Sequence, residues 1–260
     1  MISGRSVSGL GDVNGDGVAD LLIGAHRADA YGYDSGVSYV VFGSSALSAL
    51  GAAGLQLSAL NGPNGFKLSG VAAYDYSGYA VSGLGDVNGD GRADLLIGAH
   101  RADANGSDAG ASYVVFGSST LSALGTAGLQ LSDLNGANGF LLNGVAAYDY
   151  SGGAVSGLGD VNGDGVADLL IGAHRADANG SDAGASYVVF GSSALSTLGT
   201  AGLQLSALNG VNGFKISGAA ALNLSGIAVS GLGDVNGDGR ADLLIGAPGA
   251  SYVVFGNRVL

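Results

Sequence analysis

Asp86-Val87-Asn88-Gly89-Asp90-Gly91-Arg92-Ala93-Asp94-Leu95-Leu96-Ile97-Gly98-Ala99 is the stretch on which the fold turns. An acidic loop broken by glycines runs directly into a short, continuous apolar segment. That is the pattern of a tight turn feeding a strand covered on both faces. The same stretch begins at Asp12, Asp160 and Asp234, with 74 residues from one copy to the next. A period this long means one supersecondary unit stacked against copies of itself.

The copies divide the chain into one repeat domain over 1–260, with units 1–74, 75–148, 149–222 and a short 223–260. The second and third units differ at 11 of 74 positions, so the fold question reduces to a single unit. In the second unit, Tyr79-Ala80-Val81-Ser82-Gly83-Leu84 alternates apolar and small residues and predicts a first strand. Ala93 to Ala99 predicts the second strand, and the β-branched and aromatic run Ser112 to Gly117 the third. Gly139 to Gly144 predicts a fourth. Between the third and fourth lie Ser118 to Asn138, too long for a hairpin turn, where Leu121, Leu124, Leu129, Leu131 and Leu134 predict a packed loop with a helical turn.

Four antiparallel strands repeated around an axis describe a blade, so the predicted fold class is all-β, a β-propeller of four blades. The fourth blade is incomplete. It loses nine residues at Gly246-Ala247-Pro248-Gly249-Ala250-Ser251 and stops at Leu260 before a fourth strand. Met1 to Leu10 aligns with Asp75 to Leu84, so the N-terminus does not supply that strand. Two arrangements stay open: a small ring with an imperfect last blade, or an incomplete array, truncated or closed by another copy as a homo-oligomer.

Composition narrows the function. The chain holds 51 Gly, favouring tight turns and close strand packing over long helices. All 21 acidic residues are Asp, and twelve sit in the four loops, which points to cations as partners. A net charge of −12 excludes nucleic acid as an expected partner. Cys is absent, so no disulfide or thiolate metal site is available. No apolar run approaches the ~18 residues of a membrane span, and Met1-Ile2-Ser3-Gly4-Arg5-Ser6 lacks a signal-peptide hydrophobic stretch.

Each loop reads Asp-Val-Asn-Gly-Asp-Gly-(Val or Arg)-Ala-Asp, with side-chain oxygens at positions 1, 3, 5 and 9. Calcium takes six to eight oxygens, and alternate side chains of a curled loop can converge on it. The candidate metal ligands are Asp12, Asn14, Asp16 and Asp20, then Asp86, Asn88, Asp90 and Asp94. The third and fourth sets are Asp160, Asn162, Asp164 and Asp168, and Asp234, Asn236, Asp238 and Asp242. Position 7 holds Val18, Arg92, Val166 and Arg240, whose side chains share no chemistry, so a ligand there is the backbone carbonyl. About four calcium ions per chain are expected. An EF-hand is excluded because position 12 is Ile23, Ile97, Ile171 or Ile245, and Leu-Leu-Ile-Gly-Ala replaces a helix. The alternative is an Asx-stabilised turn without metal.

The loop, the following Leu-Leu-Ile-Gly-Ala and the later Tyr-Val-Val-Phe-Gly together resemble the FG-GAP repeat of integrin α-subunit propellers and their bacterial relatives. The resemblance covers essentially the whole chain and implies a calcium loop joining the first two strands of each blade. It also implies an extracellular or cell-surface location. The Gly-Ala-Pro of that repeat survives only at Gly246-Ala247-Pro248, and the other units end in Gly-Ala-His at His26, His100 and His174.

Those histidines each begin His-Arg-Ala-Asp, and the simplest reading is a loop histidine bonded to backbone or to Asp29, Asp103 and Asp177. Tyr74, Tyr76, Tyr148 and Tyr150 flank Asp75 and Asp149 and are candidates for a sugar or protein contact, or a cover for a sheet. Tyr31 and Tyr33 are the next candidates. Nucleophile elbows, phosphate loops, zinc helices and nucleotide fingerprints are absent, so no enzyme is predicted. The expected function is a calcium-binding propeller acting in adhesion or protein binding. The alternatives are a lectin-like propeller with a glycan ligand, or a scaffold with no ligand beyond calcium.

Overall fold

The computed structural model describes residues 4–257; Met1, Ile2 and Ser3 of the N-terminal reading, and Leu260, lie outside them. The first unit contributes β1 (Ser6–Gly11), β2 (Asp20–Ala25), β3 (Val37–Val41) and β4 (Gly65–Ser69). The second contributes β5 (Ala80–Gly85), β6 (Asp94–Ala99), β7 (Ala111–Val115), β8 (Leu129–Gln130) and β9 (Gly139–Asn143). The third repeats this as β10 (Ala154–Gly159), β11 (Asp168–Ala173), β12 (Ala185–Val189), β13 (Leu203–Gln204) and β14 (Gly213–Ser217). The fourth holds β15 (Ala228–Gly233), β16 (Asp242–Ala247) and β17 (Ala250–Val254).

Register sorts each unit's side chains onto two faces, because residues two apart share a face. Leu22 pairs with Val40 and Val40 with Phe66, whereas Ile23 pairs with Tyr39 and Tyr39 with Lys67. The Leu22, Val40 and Phe66 face packs on the Leu95, Ile97 and Tyr113 face of the second unit in one apolar cluster. Leu96, Val114 and Phe140 pack in the same way on Leu169, Ile171 and Tyr187 of the third. Leu170 and Val188 pack on Leu243 and Ile245 of the fourth. Each of these three large cores therefore belongs to a junction between two units.

The first strands form the spine. β1 lies against β5, β5 against β10 and β10 against β15. The Gly83, Gly157 and Gly231 amides donate to the hydroxyls of Ser8, Ser82 and Ser156 of the preceding unit, each at 3.0 Å. Glycine is required here, since a Cβ on Gly83 would come within 2.5 Å of the Gly9 carbonyl oxygen.

One expectation is corrected. The sheets have five, five, four and three strands and form an open row, with no comparable packing of β15 on β1, so the predicted β-propeller does not form. A ring would need the outer faces of the first and fourth units to meet. Both are open: Leu21 is 47% exposed where Leu95, Leu169 and Leu243 are at most 1%, and Phe255 is 54% exposed where Phe116 is 3%. The long connector is the packed loop with a helical turn that its leucines predict: Leu121, Leu131 and Leu134 are buried, Leu124 and Leu129 pack against them, and Leu121–Leu124 is a 3-10 turn. Besides 3-10 turns it yields β8 and β13, which pair in parallel with β4 and β9 of the preceding unit.

Candidate functional site

The acidic loops sit between β1 and β2 and their equivalents, and their oxygens face backbone amides. Asp12 Oδ1 accepts from the Gly15 and Asp16 amides at 2.7 and 3.1 Å, and its Oδ2 from Gly17 at 2.8 Å. Asn14 Oδ1 accepts from the Asp16 amide, and Asn14 Nδ2 donates to Asp16 Oδ2 at 3.0 Å. Asp16 Oδ1 takes the Val18 amide at 2.9 Å. The loops at Asp86, Asp160 and Asp234 repeat these bonds nearly atom for atom.

Position 9 turns inward. Asp20, Asp94, Asp168 and Asp242 are at most 1% exposed. Asp94 Oδ2 accepts from Val87 at 2.9 Å, and its Oδ1 from Gly117 at 2.8 Å, so one carboxylate ties the loop to the end of β7. Asp168 does the same with Val161 and Gly191. Burial pushes both carboxyls up to about 7, outweighing the two amide donors that favour the charged form. Asp12 moves the other way: desolvation, the largest single cause, is outweighed by the Gly17, Gly15, Asp16 and Asn14 amides acting together, and its carboxyl lies below the ordinary range.

This arrangement does not fit the expected calcium. Among the described residues no group of three or more His, Cys, Asp or Glu is placed to hold a metal ion. The oxygens at positions 1, 3, 5 and 9 are spent on amide hydrogens of the same loop and of β7-type strands. The expectation of calcium, as cofactor and as partner, is therefore corrected to a self-capped Asx turn. Position 7 also carries a contact between units. The Arg92 side chain lies over the preceding unit's loop, its Nε 3.0 Å from where a Gly15 Cβ would stand, and Arg240 lies likewise over Gly163. The Val-Arg-Val-Arg alternation is the sequence signal for that contact.

The loops also bridge units. The Ala93 amide donates to the Asp12 carbonyl at 3.2 Å and the Ser118 amide to the Val13 carbonyl at 2.8 Å, and the later units repeat both bonds or the first.

A second constellation gathers where β2-type strands end. The histidines do not bond Asp29, Asp103 or Asp177, whose carboxylates instead accept the Asp34, Asp108 and Asp182 amides. They join a run of rings across units: His26 to Tyr79 at 5.5 Å, Tyr79 to His100 at 3.9 Å, His100 to Tyr150 at 6.0 Å and Tyr150 to His174 at 5.9 Å. Burial and the nearby Arg101 push the His100 imidazole down to about 3, so it is neutral at physiological pH. Arg5 lies 3.7 Å over Tyr79, and Arg175 5.3 Å over Tyr150.

Next to this run, Tyr74 and Tyr148 are 56 and 58% exposed. Their backbones are left-handed, with φ of 68° and 67°, and Tyr76 and Tyr150 sit at 54°. A bulky residue there is strained, and strain of this kind gathers at sites with a task. Asp75, between two of them, is fixed by the Ala72 amide at 3.0 Å.

The FG-GAP repeat matches residues 3–41, 77–115, 145–189 and 225–259, more than half of the chain, and the protein belongs to the FG-GAP repeat family. It is 32% identical to mouse (Mus musculus) integrin alpha-IIb over 194 residues and 31% identical to the human (Homo sapiens) protein over 192 residues. These alignments cover 72% of this chain but only 16% of each relative. The chain is an integrin alpha-like member of its family.

Proposed function

We propose that residues 1–260 act outside the cell as one non-catalytic interaction domain of four units, 1–74, 75–148, 149–222 and 223–260. In this reading it engages a protein partner through the tyrosine loops. The observation that supports it most is the exposure of Tyr74 and Tyr148 on left-handed backbone. Large aromatic side chains held stiffly at loop tips lose little entropy on binding and are the residues that dominate interface energetics. The cationic Arg101 and Arg175, which lie over the neighbouring Tyr76 and Tyr150, favour acidic surfaces. The acidic loops serve in this reading as ties that fix each unit to the next, not as the ligand site. Likeness to integrin alpha-IIb supports the extracellular placement.

The test is an array of purified extracellular proteins printed beside a glycan array and probed with the fluorescent chain. Protein spots should bind and lose at least about tenfold in affinity with Tyr74→Ser plus Tyr148→Ser, in line with loss of interface anchors. Binding confined to glycans, or protein binding indifferent to both changes, would sink the proposal.

A further inference from the structure

The run of histidine and tyrosine rings is interrupted once. Positions 74 residues apart hold Arg5, Tyr79, Gly153 and Ile227, so the third unit alone carries no side chain there. Tyr79 shows what the position accommodates: its ring centre lies 3.9 Å from that of His100 and 5.5 Å from that of His26 in the unit before. Tyr76 stands beside it, 5.9 Å from each of the two histidines. The equivalent walls around Gly153 are in place, with Tyr150 6.0 Å from His100 and 5.9 Å from His174.

The backbone at Gly153 also matches that at Tyr79. The Tyr79 amide donates to the Tyr76 carbonyl at 3.1 Å, and the Gly153 amide to the Tyr150 carbonyl at 3.2 Å. Gly78 and Gly152 before them are left-handed, with φ of 80° and 83°, but Tyr79 and Gly153 are not. A Cβ on Gly153 would run along the His174 imidazole, 3.5 Å from Nδ1 and 3.7 Å from Cε1, and 3.3 Å from the Tyr150 carbonyl oxygen. Beyond it, the space that Tyr79 fills in the second unit is left as a slot. His174 is accordingly half-buried, where His26 and His100 are 8 and 9% exposed. The walls belong to the second and third units, each packed between two others, so the slot lies inside the array.

What fits is a flat, uncharged ring. Imidazole and phenol rings gain from edge-on and offset contacts that an aliphatic chain does not make. A cation is disfavoured, because Arg101 and Arg175 already lie 6.0 and 5.3 Å from the Tyr150 ring. We propose that the slot over Gly153 receives one tyrosine or phenylalanine side chain of a protein partner. The inference rests on the reading of the tyrosine loops as a protein-binding face, since Tyr150 walls the slot and closely follows Tyr148. It names the partner residue that this face takes.

The probe is p-cresol, the tyrosine side chain as a free molecule, titrated into the full chain and followed by NMR at the imidazole protons of its three histidines. The His174 signal should shift saturably and the His26 signal should not, because Tyr79 already fills the space beside His26. Tyr79→Gly should open a second slot and make His26 respond as well. Gly153→Tyr should abolish the His174 shift and raise the melting temperature, because the added ring packs as Tyr79 does. On the protein array Gly153→Tyr should weaken binding at least about tenfold, as expected where an anchor loses its pocket. No saturation by about 50 mM p-cresol, a generous ceiling for one ring in a pocket, overturns the proposal. So does an equal response to cyclohexanol, which has no π-face, or a His174 shift that survives Gly153→Tyr in a folded variant. Array binding indifferent to Gly153→Tyr overturns it even where p-cresol binds. Failure of p-cresol overturns the slot alone, and the tyrosine-loop reading is then decided by Tyr74→Ser and Tyr148→Ser.

Discussion

If the four sheets form an open row, two phenylalanines at the same repeat position must differ sharply in what they contribute. Phe116 is 3% exposed and lies in the junction between the second and third units, whereas Phe255 is 54% exposed on the outer face of the fourth. Truncating a buried phenylalanine removes its transfer free energy and leaves a cavity, so Phe116→Ala should cost ~3–5 kcal/mol. Phe255 has less than half of its surface out of water. With full burial worth ~1.5–3 kcal/mol and no cavity formed, Phe255→Ala should cost about 1 kcal/mol. Urea unfolding followed by far-ultraviolet circular dichroism reads the difference as a shift in midpoint at constant slope. Equal losses near the larger value would show that Phe255 has a covering face, as in a closed ring, and would refute the open row.

Stability should also fall with rising pH. Asp94 and Asp168 are raised to about 7 by burial, so between about pH 4 and 7 the folded chain holds protons that the unfolded chain has released. Their stabilisation is full below the unfolded value and lost as pH rises through 7, at most about 4 kcal/mol each. Melting should be higher at pH 5 than at pH 8, and Asp94→Asn with Asp168→Asn should flatten that difference; a slope of opposite sign that vanishes in the double variant would contradict the burial argument. Two glycines separate crowding from backbone strain. Gly91→Ala places a Cβ in open space at φ 88° and should cost ~1–2 kcal/mol, the left-handed penalty alone. Gly110→Ala places one 2.1 Å from the Ser151 carbonyl oxygen at φ 83° and should cost at least ~3 kcal/mol. Equal thermal shifts for the two would remove the claim that the Gly110 contact is what demands glycine.

The strands were legible because their signal is local. Ala93 to Ala99 and Gly139 to Gly144 carry continuous or alternating apolar patterns, and the strands occupy Asp94–Ala99 and Gly139–Asn143. Leu129-Gln130 carries no such pattern; it becomes a strand only because the preceding unit offers β4 as a template. Closure was illegible for a related reason. Leu21 and Leu95 sit in identical local sequence, so an end face and an interior face read alike until the neighbours are placed. At the acidic loops the residue types are compatible with a cation or with amide capping, and only geometry separates the two. That geometry turns Asp20, Asp94, Asp168 and Asp242 inward onto backbone amides.

The same neighbour dependence explains why the site and the fold cannot be assigned unit by unit. Every large cluster joins two units, while the small cluster of Ala25, Ala28 and Val37, with Ala30 and Tyr39 against them, lies within the first unit. A unit taken alone would expose both sheet faces and lose the bonds its loop makes to the next. Stability in such a row is a sum over junctions, so changes at a junction such as Leu96 or Ile171 should weaken two units at once. The exposed Tyr74 and Tyr148 lie outside those junctions, where residues are released from packing. Substitutions at Tyr74 and Tyr148 should therefore leave the array intact while the junction residues hold it together.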